Sequence, residues 1–161
     1  MRLALSIALS ATLLNPARAA DPDANTRLGE LFCQLKQGGD DQSVRYLLTK
    51  GLLAEIATAE AKNDVIAKAA PDEKPPLGDG VPFQSYPDVA PKCAPDAVAV
   101  VDGATQIDIQ HAFPDTPNAN WTDRIVVRVE DGLAKVDDVL YGTDQYKTGL
   151  RKALVDMFQT P

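Results

Sequence analysis

Two Asp-Gly dipeptides, Asp102-Gly103 and Asp131-Gly132, each lie between segments in which apolar and polar residues alternate. Two adjacent residues that tolerate positive φ, flanked by a period of two, are the strongest short-range signal for a β-hairpin. The turn they form has the same twist as paired strands. The spacing predicts strands over 97–101, 104–113, 121–130 and 133–141, and therefore an antiparallel sheet of about four strands. Residues 114–120, between the two hairpins, are of turn-forming types.

Ahead of this half the period is helical. Leu28, Leu31, Phe32 and Leu35 recur at i, i+3, i+4 and i+7 and predict an apolar stripe on a helix over 26–37, ended by Gly38-Gly39. Cys33 lies about 140° around that helix from Leu28 at about 100° per residue, so its partner is expected to approach from outside the core, on a loop folded over the helix. A second pattern starts near Asp41 with Val44, Leu47 and Leu48, breaks at Gly51, and continues as an Ala-rich helix over 52–69 that Pro71 stops. A third, with Tyr146, Leu150, Ala153, Leu154 and Met157, predicts a helix over 147–158 packed back on the sheet. Helices laid on one face of an antiparallel sheet make an α+β domain.

Residues 71–95 carry neither period and are rich in proline, so they read as an ordered irregular loop. Phe83 and Tyr86 are unusual in a solvated spacer, which favours a structural cover over a mobile lid.

At its start the chain has Arg2, an apolar run from Leu3 to Leu14, and small residues at Ala17 and Ala19. This is the layout of a secretory signal, and the twelve residues between Arg2 and Asn15 fall short of the roughly 20 needed to span a bilayer. Cleavage is expected after residue 19, leaving one domain over 20–161 in the periplasm or medium, with no membrane attachment. Loss of Arg2 and Arg18 would take the net charge from −7 to −9. An acidic chain without a basic patch has no means of displacing counterions from a phosphate backbone, so nucleic acid and anionic membranes are excluded as partners. Cys33 and Cys93 are the only cysteines, and in an oxidising compartment an even pair most simply forms one disulfide.

Specific catalytic motifs are absent. One histidine cannot supply a zinc-hydrolase pair, no Gly-x-Ser-x-Gly elbow or glycine-rich phosphate loop occurs, and no metal or cofactor is expected. Asp21-Pro22-Asp23-Ala24-Asn25 imitates the start of a calcium loop, but Thr26 stands where the turn needs Gly and Phe32 where the closing Glu belongs. Asn120-Trp121-Thr122 matches a glycosylation sequon, which a short leader of bacterial type makes irrelevant. Strand alternation puts His111 on one face with Ile107, Ile109 and Phe113. With Asp123 or Asp138 to orient it, such a histidine suits proton transfer in an elimination or isomerisation; the plainer reading is a ring that caps the core. Asp102, Asp131, Asp137 and Asp138 gather near the hairpins and could form an acidic rim for a basic protein partner.

The helical half with Leu47-Leu48-Thr49, Leu52 and Ile56, the loop Pro82-Phe83-Gln84-Ser85-Tyr86-Pro87-Asp88, the run Lys135-Val136-Asp137-Asp138-Val139-Leu140-Tyr141-Gly142 and the terminal Leu150-Arg151-Lys152-Ala153-Leu154 together resemble the nuclear-transport-factor-2-like (cystatin-like) superfamily. Within it they are most similar to exported bacterial families of unknown function. The resemblance implies a cone-shaped fold, a curved sheet around a long helix with an apolar cavity between them. Its members include ketosteroid isomerases, scytalone dehydratases, immunity proteins and pure binding proteins, so fold alone does not choose a function. Ala134 departs from the Trp that such families often carry there, leaving a volume for Trp121 to fill or for a pocket.

These readings lead to a binding protein that uses Phe83, Tyr86, His111 and Trp121 to hold a small apolar ligand or a protein partner. The alternatives are a lyase or isomerase working through His111, and an inhibitor or immunity protein against a toxin. Arg124, Arg128 and Glu130 make the outer sheet face polar, which leaves monomer and weak homodimer equally open.

Overall fold

The computed structural model describes residues 22–39, 41–144 and 147–159; the expected leader, Asp21 and Tyr146 lie outside the described residues. The elements are α1 (Pro22–Gln37), α2 (Asp41–Val44), α3 (Lys50–Ala69), β1 (Lys92–Val101), β2 (Ala104–Ala112), β3 (Trp121–Glu130), β4 (Leu133–Leu140) and α4 (Leu150–Asp156). The strands form one antiparallel sheet in the order β1-β2-β3-β4, which does not close on itself. The fold class is α+β, as the periodicities predict.

Both Asp-Gly turns place two consecutive residues at positive φ, with Asp102 at 51° and Gly103 at 79°, and Asp131 at 53° and Gly132 at 79°. This is the type I′ conformation that a two-residue hairpin needs. Ile107, Ile109, Ile125, Val127, Val136 and Val139 line the inner face of the sheet. They form one core with Leu28 and Phe32 of α1, Leu52 and Ile56 of α3, and Leu150 and Leu154 of α4. The irregular connection before β1 adds Leu77, Val81 and Phe83 to that core, so it covers the fold with its own apolar side chains. The opposite face is polar, where Arg124 Nε donates to Asp108 Oδ1 at 2.5 Å.

Several expectations need correction. The buried face of α1 comprises Asn25, Leu28, Phe32, Cys33 and Lys36, whereas Leu31 is 46 % exposed. Cys33 therefore faces inward, and its partner Cys93 belongs to a strand of the sheet instead of a covering loop. Contact with β1 turns the helix this way. A side chain at Gly29 would overlap Pro95, with a Cβ only 2.7 Å from the proline Cβ, so the absence of a Cβ allows the close crossing.

β1 begins at Lys92, five residues before the predicted start, because a bulge between Pro95 and Val98 interrupts the alternation. A second bulge, between Val126 and Val127 in the β3–β4 pairing, sets Asp137 apart in β4 and lets Val136 and Val139 both face inward. Helix α3 does not break at Gly51. Its start is Lys50, where Thr49 accepts a hydrogen bond from Leu52 N at 3.2 Å as the cap, and the interruption falls earlier, at extended Leu48, which bridges to Val136 of β4. Helix α4 starts only at Leu150, because Gly149 is extended and bridges back to Leu140. None of the helices among the described residues is long and apolar enough to cross a membrane.

Candidate functional site

At one end of the sheet, register aligns Cys93, His111 and Trp121 across β1, β2 and β3. Cys93 is bonded to Cys33, with the two Cα atoms 5.3 Å apart, as the even cysteine count predicts. Beside it, His111 stacks on the indole of Trp121, ring centroids 4.4 Å apart and planes within 9°. Trp121 also meets Tyr86 at 5.1 Å and Phe113 at 6.0 Å, both tilted. Trp121 does not fill the space at Ala134. That residue pairs with Val129, eight residues along β3 and roughly 26 Å away at the usual rise per residue.

Asp123 holds the cluster together. Alternation along β3 points Trp121, Asp123, Ile125 and Val127 inward, and Asp123 is 1 % exposed. Its Oδ2 accepts from Trp121 Nε1 at 2.9 Å and from Ser85 N at 3.0 Å. Its Oδ1 accepts from Gly142 N at 3.0 Å and from the Ser85 hydroxyl. The four donors re-engage lone pairs that this side chain loses to water on burial. The acid thus ties the irregular loop, β3 and the segment after β4 to one point. Gly142 can sit there only as glycine, because a Cβ would overlap the Thr122 carbonyl.

His111 Nε2 lies 3.5 Å from Asp123 Oδ2 without a hydrogen bond, and the residue is 2 % exposed. The order is Ser85, Asp123, His111, with the carboxylate in the middle. The serine hydroxyl donates to the acid and not to the imidazole, so the histidine cannot take its proton as in a nucleophilic triad. Asp138, the other carboxylate considered for orienting His111, instead accepts from Val139 N at 2.8 Å and Arg151 N at 3.1 Å.

Burial lowers the pKa of His111 below the ordinary 6.5, outweighing the attraction of Asp123, and the Lys36 ammonium lowers it further. The folded protein therefore resists the proton that the unfolded chain accepts. Stability should be full above pH 6.5 and fall as the pH drops through that value toward the lower folded pKa. As His111 is the only histidine, a His111→Gln variant should flatten melting temperature against pH between about 5 and 7, leaving the carboxyl of Asp138, which burial raises above its ordinary value, as the group shifted toward that window. An unchanged slope would contradict this assignment.

Phe83 is fully buried in the core, while Tyr86, three residues on, is 49 % exposed. Between them Gln84 donates to the carbonyls of Tyr86 and Asp88 at 2.7 and 2.9 Å, closing the loop on itself. The loop forms one wall of a cleft of about 470 Å³, lined also by Lys36, Asp41 and Met157. Lys36 is buried, bonded to Asp41 Oδ1 at 2.7 Å and 5.8 Å from the Phe83 ring centroid. Sequence reasoning did not single out Lys36, since its burial depends on a loop more than forty residues away along the chain. Tyr86 and His111 are thus brought together on Trp121, while Phe83 lies in the main core.

No family model, curated protein or solved structure matches the chain.

Three of the four acidic residues near the hairpins, Asp131, Asp137 and Asp138, are engaged within the fold, whereas Asp102 is exposed. Asp131 pairs with Lys50 Nζ at 2.6 Å. Burial works against the charge on Asp137, yet hydrogen bonds from Arg128 at 2.6 Å, Thr49 at 2.8 Å and Arg151 at 2.8 Å hold its carboxyl below the usual range. Among the described residues no group of three or more His, Cys, Asp or Glu side chains is placed to hold a metal ion.

Proposed function

We propose that this is an exported binding protein, periplasmic or secreted, that recognises a small apolar ligand or a protein partner through the loop bearing Tyr86 and carries out no catalysis. One observation carries the reading. Tyr86 presents half of its ring to solvent beside the cleft, on a loop anchored by Ser85 to Asp123 and resting on buried Trp121. An aromatic held in place before binding loses little conformational freedom when a partner arrives, which is the property of an interface anchor. His111, by contrast, is sealed from any solvent-borne substrate. Membership of the exported branch of the nuclear-transport-factor-2-like superfamily is part of the proposal, supported by the quoted motifs and by helices preceding an antiparallel sheet. Export itself is supported by the leader-like start and by the disulfide.

Native mass spectrometry of the protein purified from its own host, compared with the denatured spectrum, tests this. A ligand or partner chain should appear in the native spectrum and be lost on denaturation. Tyr86→Ala should lower its occupancy about tenfold or more, as for an interface anchor, with the melting temperature nearly unchanged. Occupancy that survives Tyr86→Ala would overturn the assignment of this face.

A further inference from the structure

The two edges of the sheet are treated differently. The β4 edge is covered, because Leu48 and Gly149 bridge to it, Thr49 N donates to Val136 O at 2.9 Å, and Lys135 Nζ reaches the Tyr46 carbonyl at 2.7 Å. Among the described residues nothing pairs with the outer edge of β1. Its second half, Ala97 to Val101, is uncharged, with Val98 41 % and Val100 72 % exposed. A bare apolar edge of this kind is a template for another strand, and proteins ordinarily block it with charge, proline or cover.

Hairpin geometry gives the direction of the free groups. A two-residue turn closes on the hydrogen-bonded pair Val101 and Ala104, so Ala99 bonds toward β2, while Val98 and Val100 turn their N–H and C=O outward. Beyond the bulge the same alternation points the nitrogen of Pro95 outward, where its missing N–H costs β1–β2 nothing and ends the usable edge.

We propose that the β1 edge is a docking site for an extended, cationic segment of a partner polypeptide, which adds to the sheet as a fifth strand. An extended strand matches alternating N–H and C=O groups along an edge, replacing the water that otherwise holds them. The charge is set by Asp96 and Asp102, both exposed and about 20 Å apart at the usual rise, which bracket the open stretch on a chain of net charge −7. Asp96 also accepts from Gln110 Nε2 at 2.6 Å, which holds its carboxylate at the strand. A second copy fits poorly. Pairing Val98 of one chain with Val100 of the other would set Asp96 against Asp102, opposing like charges. This surface is separate from the Tyr86 loop and does not depend on the function proposed there.

The test uses the whole protein and three capped hexapeptides: one alternating valine and threonine between terminal lysines, one with glutamates in place of the lysines, and one lysine peptide with N-methylated valines. Amide NMR shifts and hydrogen exchange are the readouts. The lysine peptide should bind, protect the amides of Val98 and Val100, and exceed both controls by about tenfold or more at low salt, where ends of opposite charge contribute most. Val100→Pro should abolish binding, and Asp96→Asn with Asp102→Asn, which preserves the turn, should weaken it several-fold and flatten its salt dependence. The proposal is overturned by absence of binding, by shifts outside β1 and its neighbours, by equal binding of the glutamate peptide, or by a homodimer that Val100→Pro dissociates. The paired Asn variant decides the matter if Val100→Pro does not fold.

Discussion

Asp123→Ala should unfold most of the protein at physiological temperature. The substitution removes the acceptor of Ser85 N, Gly142 N, Trp121 Nε1 and the Ser85 hydroxyl in one step. Each buried donor left without a partner costs about 1–3 kcal/mol, so the loss should reach about 5 kcal/mol, comparable with the whole stability of many domains. Loss of the loop anchor would also expose Phe83, now fully buried, adding apolar hydration to the same transition. Asp123→Asn should be milder, since the amide keeps one accepting oxygen, but its NH₂ would face donors on the other side. Trp121 is the only tryptophan and donates to this carboxylate, so its fluorescence in urea titrations reports on the site directly. A loss below about 1 kcal/mol for the alanine variant would show that water replaces the carboxylate and that the cluster is not the fold's anchor.

Cys33→Ala with Cys93→Ala should cost nearly as much. The bond closes a 60-residue segment, for which chain entropy gives about 4 kcal/mol. The double variant is preferable to either single one, which would leave a free thiol able to pair between chains. Cys33 is buried and Cys93 only partly so, and a reductant in the native protein should therefore attack at the Cys93 sulfur. A variant as stable as the parent would mean that the packing of Leu28 and Phe32 and the Lys36–Asp41 pair hold α1 without the bond.

The sequence announced the hairpins because a type I′ turn is a local requirement that Asp-Gly meets, and all three of the later strands start at their predicted residues. The inward face of His111 followed from alternation for the same local reason. The orientation of α1 did not. Leu31 outranks Cys33 and Lys36 on any hydropathy argument, yet the disulfide, the Lys36–Asp41 pair and the crossing at Gly29 turn the helix so that Leu31 faces out. The start of β1 was hidden by a bulge, which breaks the very period used to find strands. Asp123 left a usable trace: a carboxylate in the same alternating row as Trp121, Ile125 and Val127 must find donors inside the protein. Which donors these are depends on Ser85 and Gly142, 38 and 19 residues away, and no local pattern carries that.

The strands follow one another in space as they do along the chain. Every pairing in the sheet can therefore form between neighbouring segments, with only short loops to close, and such contacts are made early and quickly. α1 has no such advantage, since the strand it rests on lies some sixty positions further along. The meander is accordingly the natural seed of the fold, with the first helix joining last. Substitutions in the β2–β3–β4 ribbon should then slow the refolding rate, while those beneath α1 should chiefly hasten unfolding.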